Sequence, residues 1–191
     1  MIRSFIVLVL VAGLTACGFH LRSRLALPPD VPAVKVTSVA PYSELVKLLK
    51  RSLTASGATI ADEDAKTGFA QLNVLSERWG DLPIAIDAEG RAQEYSLRYA
   101  AIFTLLAPDG SVIVPQQVIE MSRDYVSPPT DATGTATERE ILADELRRDM
   151  SASILRRIDS VVRARTKNGL PLSSGAAPAG GSGTTPAEPA K

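Results

Sequence analysis

Side chains suited to covalent catalysis are almost missing from this 191-residue sequence. It holds one cysteine, Cys17, and one histidine, His20, close together near the amino terminus. A lone cysteine forms no intramolecular disulfide, and a nucleophile elsewhere in the chain would need a base that His20 is badly placed to provide. G-x-S-x-G, P-loop and dinucleotide fingerprints and zinc-ligand spacings are missing too. The expectation is a binding protein rather than an enzyme, with no cofactor and no metal. No sign of charge dominates, because 21 Lys and Arg balance 21 Asp and Glu. That balance speaks against a nucleic-acid partner recruited by bulk charge. The uncharged amino-terminal run from Ser4 to Phe19 is shorter than the roughly 20 residues a spanning helix needs.

What is present begins with a secretory pattern. Arg3 supplies a positive start, Phe5 to Val11 an apolar stretch, and Leu14-Thr15-Ala16 a small-residue cleavage site. With Cys17 directly behind, Leu14-Thr15-Ala16-Cys17 resembles the bacterial lipobox. Cys17 is therefore expected to carry a diacylglycerol and to hold the mature chain on a membrane without spanning it. The expected organisation is a signal peptide over 1–16, a lipidated start and spacer over 17–32 stiffened by Pro28, Pro29 and Pro32, a folded domain over 33–168, and a tail over 169–191. Cleavage removes Arg3 and leaves one acid in excess. The tail, rich in Ser, Gly, Ala, Thr and Pro, has too little apolar bulk to offset its ordering entropy and is expected to be disordered.

Within the domain, Ala33 to Val39 alternates as a short strand, with Val34, Val36 and Ser38 on one side. Pro41 and Ser43 then open a helix whose apolar residues Leu45, Val46, Leu49 and Leu53 recur at helical spacing before Gly57. Phe69 to Trp79 reads as a second strand, with Ala70, Leu72 and Val74 opposed to Gln71, Asn73, Leu75, Glu77 and Trp79. Glu94 to Leu106 is the clearest strand, its Tyr95, Leu97, Tyr99, Ala101, Phe103 and Leu105 forming one apolar face. Pro108-Asp109-Gly110 is a hairpin turn into a fourth strand running from Ser111 towards Val126, where Pro115 predicts a bulge or an edge. Ile119, Met121, Arg123 and Tyr125 point one way in its second half.

Residues 127–136 read as a loop, and Thr137 with Glu140 as a capping box for a helix reaching Arg165. Leu142, Leu146, Met150, Ile154, Ile158 and Val162 form its stripe, while Arg163, Arg165 and Lys167 complement the dipole at its end. The order β-α-β-β-β-α predicts a two-layer α/β sandwich: a four-stranded mixed sheet, both helices on one face, and the other face left for a partner. Lys47, Lys50 and Arg51 lie off the first helix's apolar stripe, as a solvated face or a contact for anionic lipid. Asp62, Glu63 and Asp64, and likewise Asp87, Glu89 and Glu94, read as solvated surface.

Cys17-Gly18-Phe19-His20-Leu21-Arg22 resembles the mature start of the LPS-assembly lipoprotein LptE family. Gly90-Arg91-Ala92-Gln93-Glu94-Tyr95 is similar to that family's loop-to-strand junction, and Arg123 with Tyr125 to its basic and aromatic strand end. The resemblance implies a lipoprotein on the periplasmic leaflet of the outer membrane, with an LptD β-barrel and lipopolysaccharide as partners. The protein would plug the barrel and assist its assembly and lipopolysaccharide delivery. Gly18 agrees, since an aspartate after the cysteine often retains lipoproteins in the inner membrane. The resemblance also implies lipopolysaccharide contacts at Arg91 and Arg123, because guanidinium groups pair well with lipid A phosphates. Asp87 and Glu89 make this tip more acidic than the family pattern. Two other readings are an auxiliary lipoprotein of a different envelope transport system and a lipid-anchored hydrolase using dispersed carboxylates.

Overall fold

The computed structural model describes residues 33–127 and 132–168. The expected signal peptide, Cys17, the spacer, the tail and part of the loop before the last helix lie outside the described residues. The chain runs β1 (Val34–Ser38), α1 (Glu44–Ala55), β2 (Ala70–Ile86), β3 (Ala92–Leu106), β4 (Val112–Val126) and α2 (Ala132–Lys167). The strands form one sheet in the order β1-β2-β3-β4, with β1 parallel to β2 and the other pairs antiparallel. This is the predicted mixed sheet and element order.

Local chemistry sets the boundaries of α1. Ser43, in extended conformation, accepts a hydrogen bond from the Val46 N–H at 3.2 Å and satisfies one free donor of the first turn. Gly57, at φ 90°, follows the helix in a conformation that only glycine adopts without strain. Leu45, Val46, Leu49 and Leu53 are buried, as their spacing predicts.

The apolar face of β3 is also as predicted: Leu97, Tyr99, Ala101, Phe103 and Leu105 lie at the centre of the core. From α2, Leu146, Met150, Ile154, Ile158 and Val162 close over them, while Leu142 is only partly buried. Pro115 sits in an edge strand, and the β3–β4 register shifts between Phe103 and Leu105, so both expectations for that proline are met. Gly110, at φ 84°, closes the hairpin turn with Asp109, whose Oδ1 accepts from the Ser111 N–H at 2.9 Å.

Three sequence expectations need correction. The second strand does not end at Trp79 but continues to Ile86, because pairing with β3 carries it through Gly80 and Pro83. Glu77 and Trp79 do not share a face with Gln71 and Asn73: the register shifts between Val74 and Ser76, and this bulge at Leu75 turns both towards the helices. Finally, α2 begins at Ala132, so Thr137 and Glu140 lie inside it rather than at its start. Thr133, Gly134 and Thr135 are weak helix formers, yet an established helix extends through them at small cost per residue.

With 36 residues, α2 is about 54 Å long. It matches the 15 residues of β3, which span about 50 Å. Within β2, β1 pairs only with Ala70–Val74, so β2 from Leu75 onwards has one strand neighbour. The sheet is four strands wide at the end where α1 packs and three at the other. Among the described residues, no helix is long and apolar enough to cross a membrane.

Candidate binding surface at the three-stranded end

Beyond the reach of α1, the interior changes from aliphatic to aromatic and polar. Trp79 and Tyr99, paired across β2 and β3, stack with ring centroids 3.9 Å apart. Tyr95 and Tyr125, paired across β3 and β4, stack at 5.6 Å. The Tyr99 hydroxyl donates to Glu77 Oε2 at 2.7 Å. Burial and this carboxylate acceptor together raise the Tyr99 pKa far above its usual value. Arg147 lies over the Trp79 ring at 5.1 Å while pairing with Asp144.

Asp81 is the junction of this polar seam. Arg139 of α2 donates to it from Nε at 3.0 Å and Nη2 at 2.8 Å, and the Tyr125 hydroxyl donates to Oδ1 at 3.0 Å. The Arg139 hydrogen bonds hold the Asp81 carboxyl below its ordinary pKa, against a smaller opposing effect of burial. Burial, then the bond to Asp81, raises Tyr125. Because Asp81 ionises more readily folded than unfolded, its contribution is complete above the unfolded carboxylate pKa of about 4 and fades as pH falls below it. An Asp81→Asn variant is expected to lose stability less steeply than the parent below about pH 4. Urea midpoints measured across that range check this, and parallel acid limbs would contradict it.

The β2–β3 hairpin tip is organised by Asp87. Its Oδ1 accepts the N–H groups of Glu89 at 3.0 Å and Arg91 at 2.8 Å, and its Oδ2 accepts Arg91 Nε at 2.8 Å and Gln93 Nε2 at 2.8 Å. These donors, led by the Arg91 backbone N–H, depress the Asp87 pKa. Gly90, at φ 79°, makes the turn. Asp87 is thus a structural acceptor within the turn, more than the solvated surface that its neighbourhood suggests. Arg91 Nη2 also approaches Glu89 at 3.4 Å, yet its side chain stays 61% exposed. Behind the tip, Leu82, Ile84, Ile86 and Val126 are exposed apolar residues.

The structure does not bring Arg91 and Arg123 together. Arg123 is paired with Leu97, six positions along β3 from Arg91, or about 20 Å at roughly 3.3 Å per residue. Its Nη2 donates to Asp149 of α2 at 2.7 Å, fastening helix to strand. Asp81 and Arg139 were not singled out by the sequence, and no local signal pairs them, since 58 positions separate them. The sheet face away from the helices is polar and mixed, with Ser76 opposite Ile102, Arg78 opposite Ala100, and Arg98 3.9 Å from Glu120. Among the described residues, no group of three or more His, Cys, Asp or Glu is placed to hold a metal ion.

Comparison with known proteins adds to this geometry. The LptE family model, described as Lipopolysaccharide-assembly, matches residues 31–158. A Photorhabdus laumondii protein named LPS-assembly lipoprotein LptE is 26% identical over 163 residues, covering 83% of this chain and 88% of the relative. A Yersinia enterocolitica protein of the same name is 27% identical over 167 residues, covering 85% and 80%. Among solved structures, the rare lipoprotein B of Shewanella oneidensis gives a TM-score of 0.59 at 23% identity, covering 72% of this chain and 98% of that one. Lipoprotein B of Nitrosomonas europaea gives 0.64 at 20%, covering 80% and 97%. These two structures share the fold.

Proposed function

The chain belongs to the LptE lipopolysaccharide-assembly family, and from that membership we propose an outer-membrane lipoprotein that plugs an LptD β-barrel. In this reading it assists the barrel's assembly and the delivery of lipopolysaccharide, anchored through Cys17 on the periplasmic leaflet. The observation that carries the proposal is the family match across residues 31–158, nearly the whole folded domain. The surface supports it: the open sheet face mixes Arg98, Glu120 and Arg78 with Ile102 and Val118, which suits the wet, polar lumen of a large barrel. The role is one of fitting and contact rather than turnover.

Arg91 is the proposed lipopolysaccharide contact. A guanidinium offers five N–H donors, and Asp87 and Glu89 engage only part of that set. An anionic ligand would therefore find a positioned, exposed cation. Arg123 is proposed as a second contact, through the N–H donors left over by Asp149 and by the Ser122 carbonyl, which accepts from Nη1 at 3.0 Å. One preparation tests both levels of the proposal. Captured from detergent-solubilised membranes, the chain is expected to bring down a large β-barrel in stoichiometric amount and to bind lipopolysaccharide. Arg91→Glu is expected to keep the barrel and weaken lipopolysaccharide binding about tenfold or more, the scale of one lost charge-assisted hydrogen bond. Unchanged binding in that variant would discard Arg91. Recovery with an inner-membrane transporter in place of the barrel would discard the plug.

A further inference from the structure

We propose that the groove between α2 and β4 is a binding site for a phosphate monoester group, separate from the hairpin tip. Ser153, Arg156, Arg157 and Ser160 form its polar wall beside Ile119, around a solvent-open volume of about 350 Å³. Positions three and four apart on a helix are surface neighbours, so these four polar side chains share one face of α2. Ile119, opposite Ala101 on the helix-facing side of β4 and partly buried against the core, supplies the apolar floor.

The charge in this groove is uncompensated. Arg156 Nη2 donates to Ser153 Oγ at 2.5 Å, and Ser160 Oγ donates to the Arg157 carbonyl at 2.8 Å. Among the described residues, neither guanidinium pairs with a carboxylate. Asp159, between them and Ser160, is taken by Arg163 at 2.9 Å, and Asp149 by Arg123 at 2.7 Å. Arg91, Arg98, Arg139 and Arg147 each have an acidic partner; Arg51, Arg78, Arg148 and Arg165 lack one too, but among the described residues Arg156 and Arg157 alone are consecutive cations that both lack a carboxylate. The helix dipole does not account for the pair, because its influence is confined to the last turn and Arg156 lies well before Lys167.

Two adjacent cations repel unless an anion lies between them. The donor set favours phosphate over carboxylate: with the Ser160 hydroxyl already donating to the Arg157 carbonyl, two guanidinium forks and the Ser153 hydroxyl remain, one donor group more than a carboxylate has oxygens and one for each of the three terminal oxygens of a phosphate monoester. Ile119 then accommodates the organic part that the phosphate esterifies. The site does not depend on the plug reading.

Isothermal titration of the full mature chain at low ionic strength, with inorganic phosphate and separately with dihexanoyl phosphatidic acid, tests the assignment. Saturable one-site binding is expected, at least about tenfold weaker in the Arg156→Gln/Arg157→Gln double variant. It should be unchanged in Arg148→Gln, which removes an exposed α2 arginine outside the groove. Equal affinity for both probes identifies free phosphate as sufficient, and tighter phosphatidic acid identifies a lipid headgroup; both support the site. Failure of both probes to bind would overturn it, as would equal weakening by Arg148→Gln, the mark of diffuse charge. Binding of polyglutamate with no response to either phosphate probe would also overturn it, in favour of an acidic protein segment.

Discussion

Truncating Phe103 to alanine is expected to remove about 3–5 kcal/mol of folding stability, the range for deleting a large aromatic side chain from a packed core. Phe103 is fully buried in β3, an interior strand, paired with Val74 on one side and Gln117 on the other and roofed by α2. Phe103 has no exposed surface and its strand is hydrogen-bonded on both sides, so the backbone around it cannot close into the gap without breaking strand register. Since domains of this kind are stable by only about 5–15 kcal/mol, the variant should sit near the edge of folding at 37 °C. Urea unfolding gives the measurement, as a lowered midpoint with an unchanged slope. A loss below about 1 kcal/mol would mean that the site relaxes freely and that β3 is not the centre of the core.

On the proposed anchor, a chain exported through an ordinary cleaved signal and carrying Cys17→Ala is expected to lose essentially all affinity for lipid vesicles. Burial of an acyl chain contributes about 0.8 kcal/mol per CH₂, so two or more chains hold a protein stably where one does so only marginally. Among the described residues no helix is long and apolar enough to cross a bilayer, and vesicles of phosphatidylcholine alone keep recognition of an anionic headgroup out of the measurement. Flotation with liposomes is the direct check: the parent rises with the vesicles and the variant stays below. Equal flotation, or a parent whose mass shows an unmodified thiol, would remove the anchor from the account. Vesicles without other proteins keep this result distinct from retention by a barrel.

How much could be read from the residues alone differs from element to element, for physical reasons. β3 was legible because one face of it is buried along most of its length, so burial imposes a strict period of two from Tyr95 to Leu105. α1 was legible because its start and stop are local, in the Ser43 cap and Gly57. The far half of β2 was not. Gly80, Asp81 and Pro83 are poor strand formers, and what holds them extended is a neighbouring strand supplied later in the chain. A single bulge residue, Leu75, then reverses which side chains face inward, and no pattern within β2 announces it.

The candidate site divides in the same way. Arg91 could be placed at a tip through the resemblance of Gly90-Arg91-Ala92-Gln93-Glu94-Tyr95 to a loop-to-strand junction. Its bonds to Asp87 follow from the turn's geometry and emerge only when the hairpin is closed. The link from Asp81 to Arg139 depends on how α2 lies across the sheet, which is a property of packing and not of either segment. Arg123 was picked out beside Tyr125 as a ligand contact, and the bond of one of its guanidinium nitrogens to Asp149, 26 positions away on α2, could not be read from either segment.

The shortness of β1 gives the molecule a slim end and a broad end. Losing one strand narrows the profile by about 4.8 Å, and the departure of α1 from the same end thins it further. A tapered body is not interchangeable end for end. Any closed wall that grips it along its length must itself be asymmetric, and a ring too tight for the broad end can still thread onto the slim one.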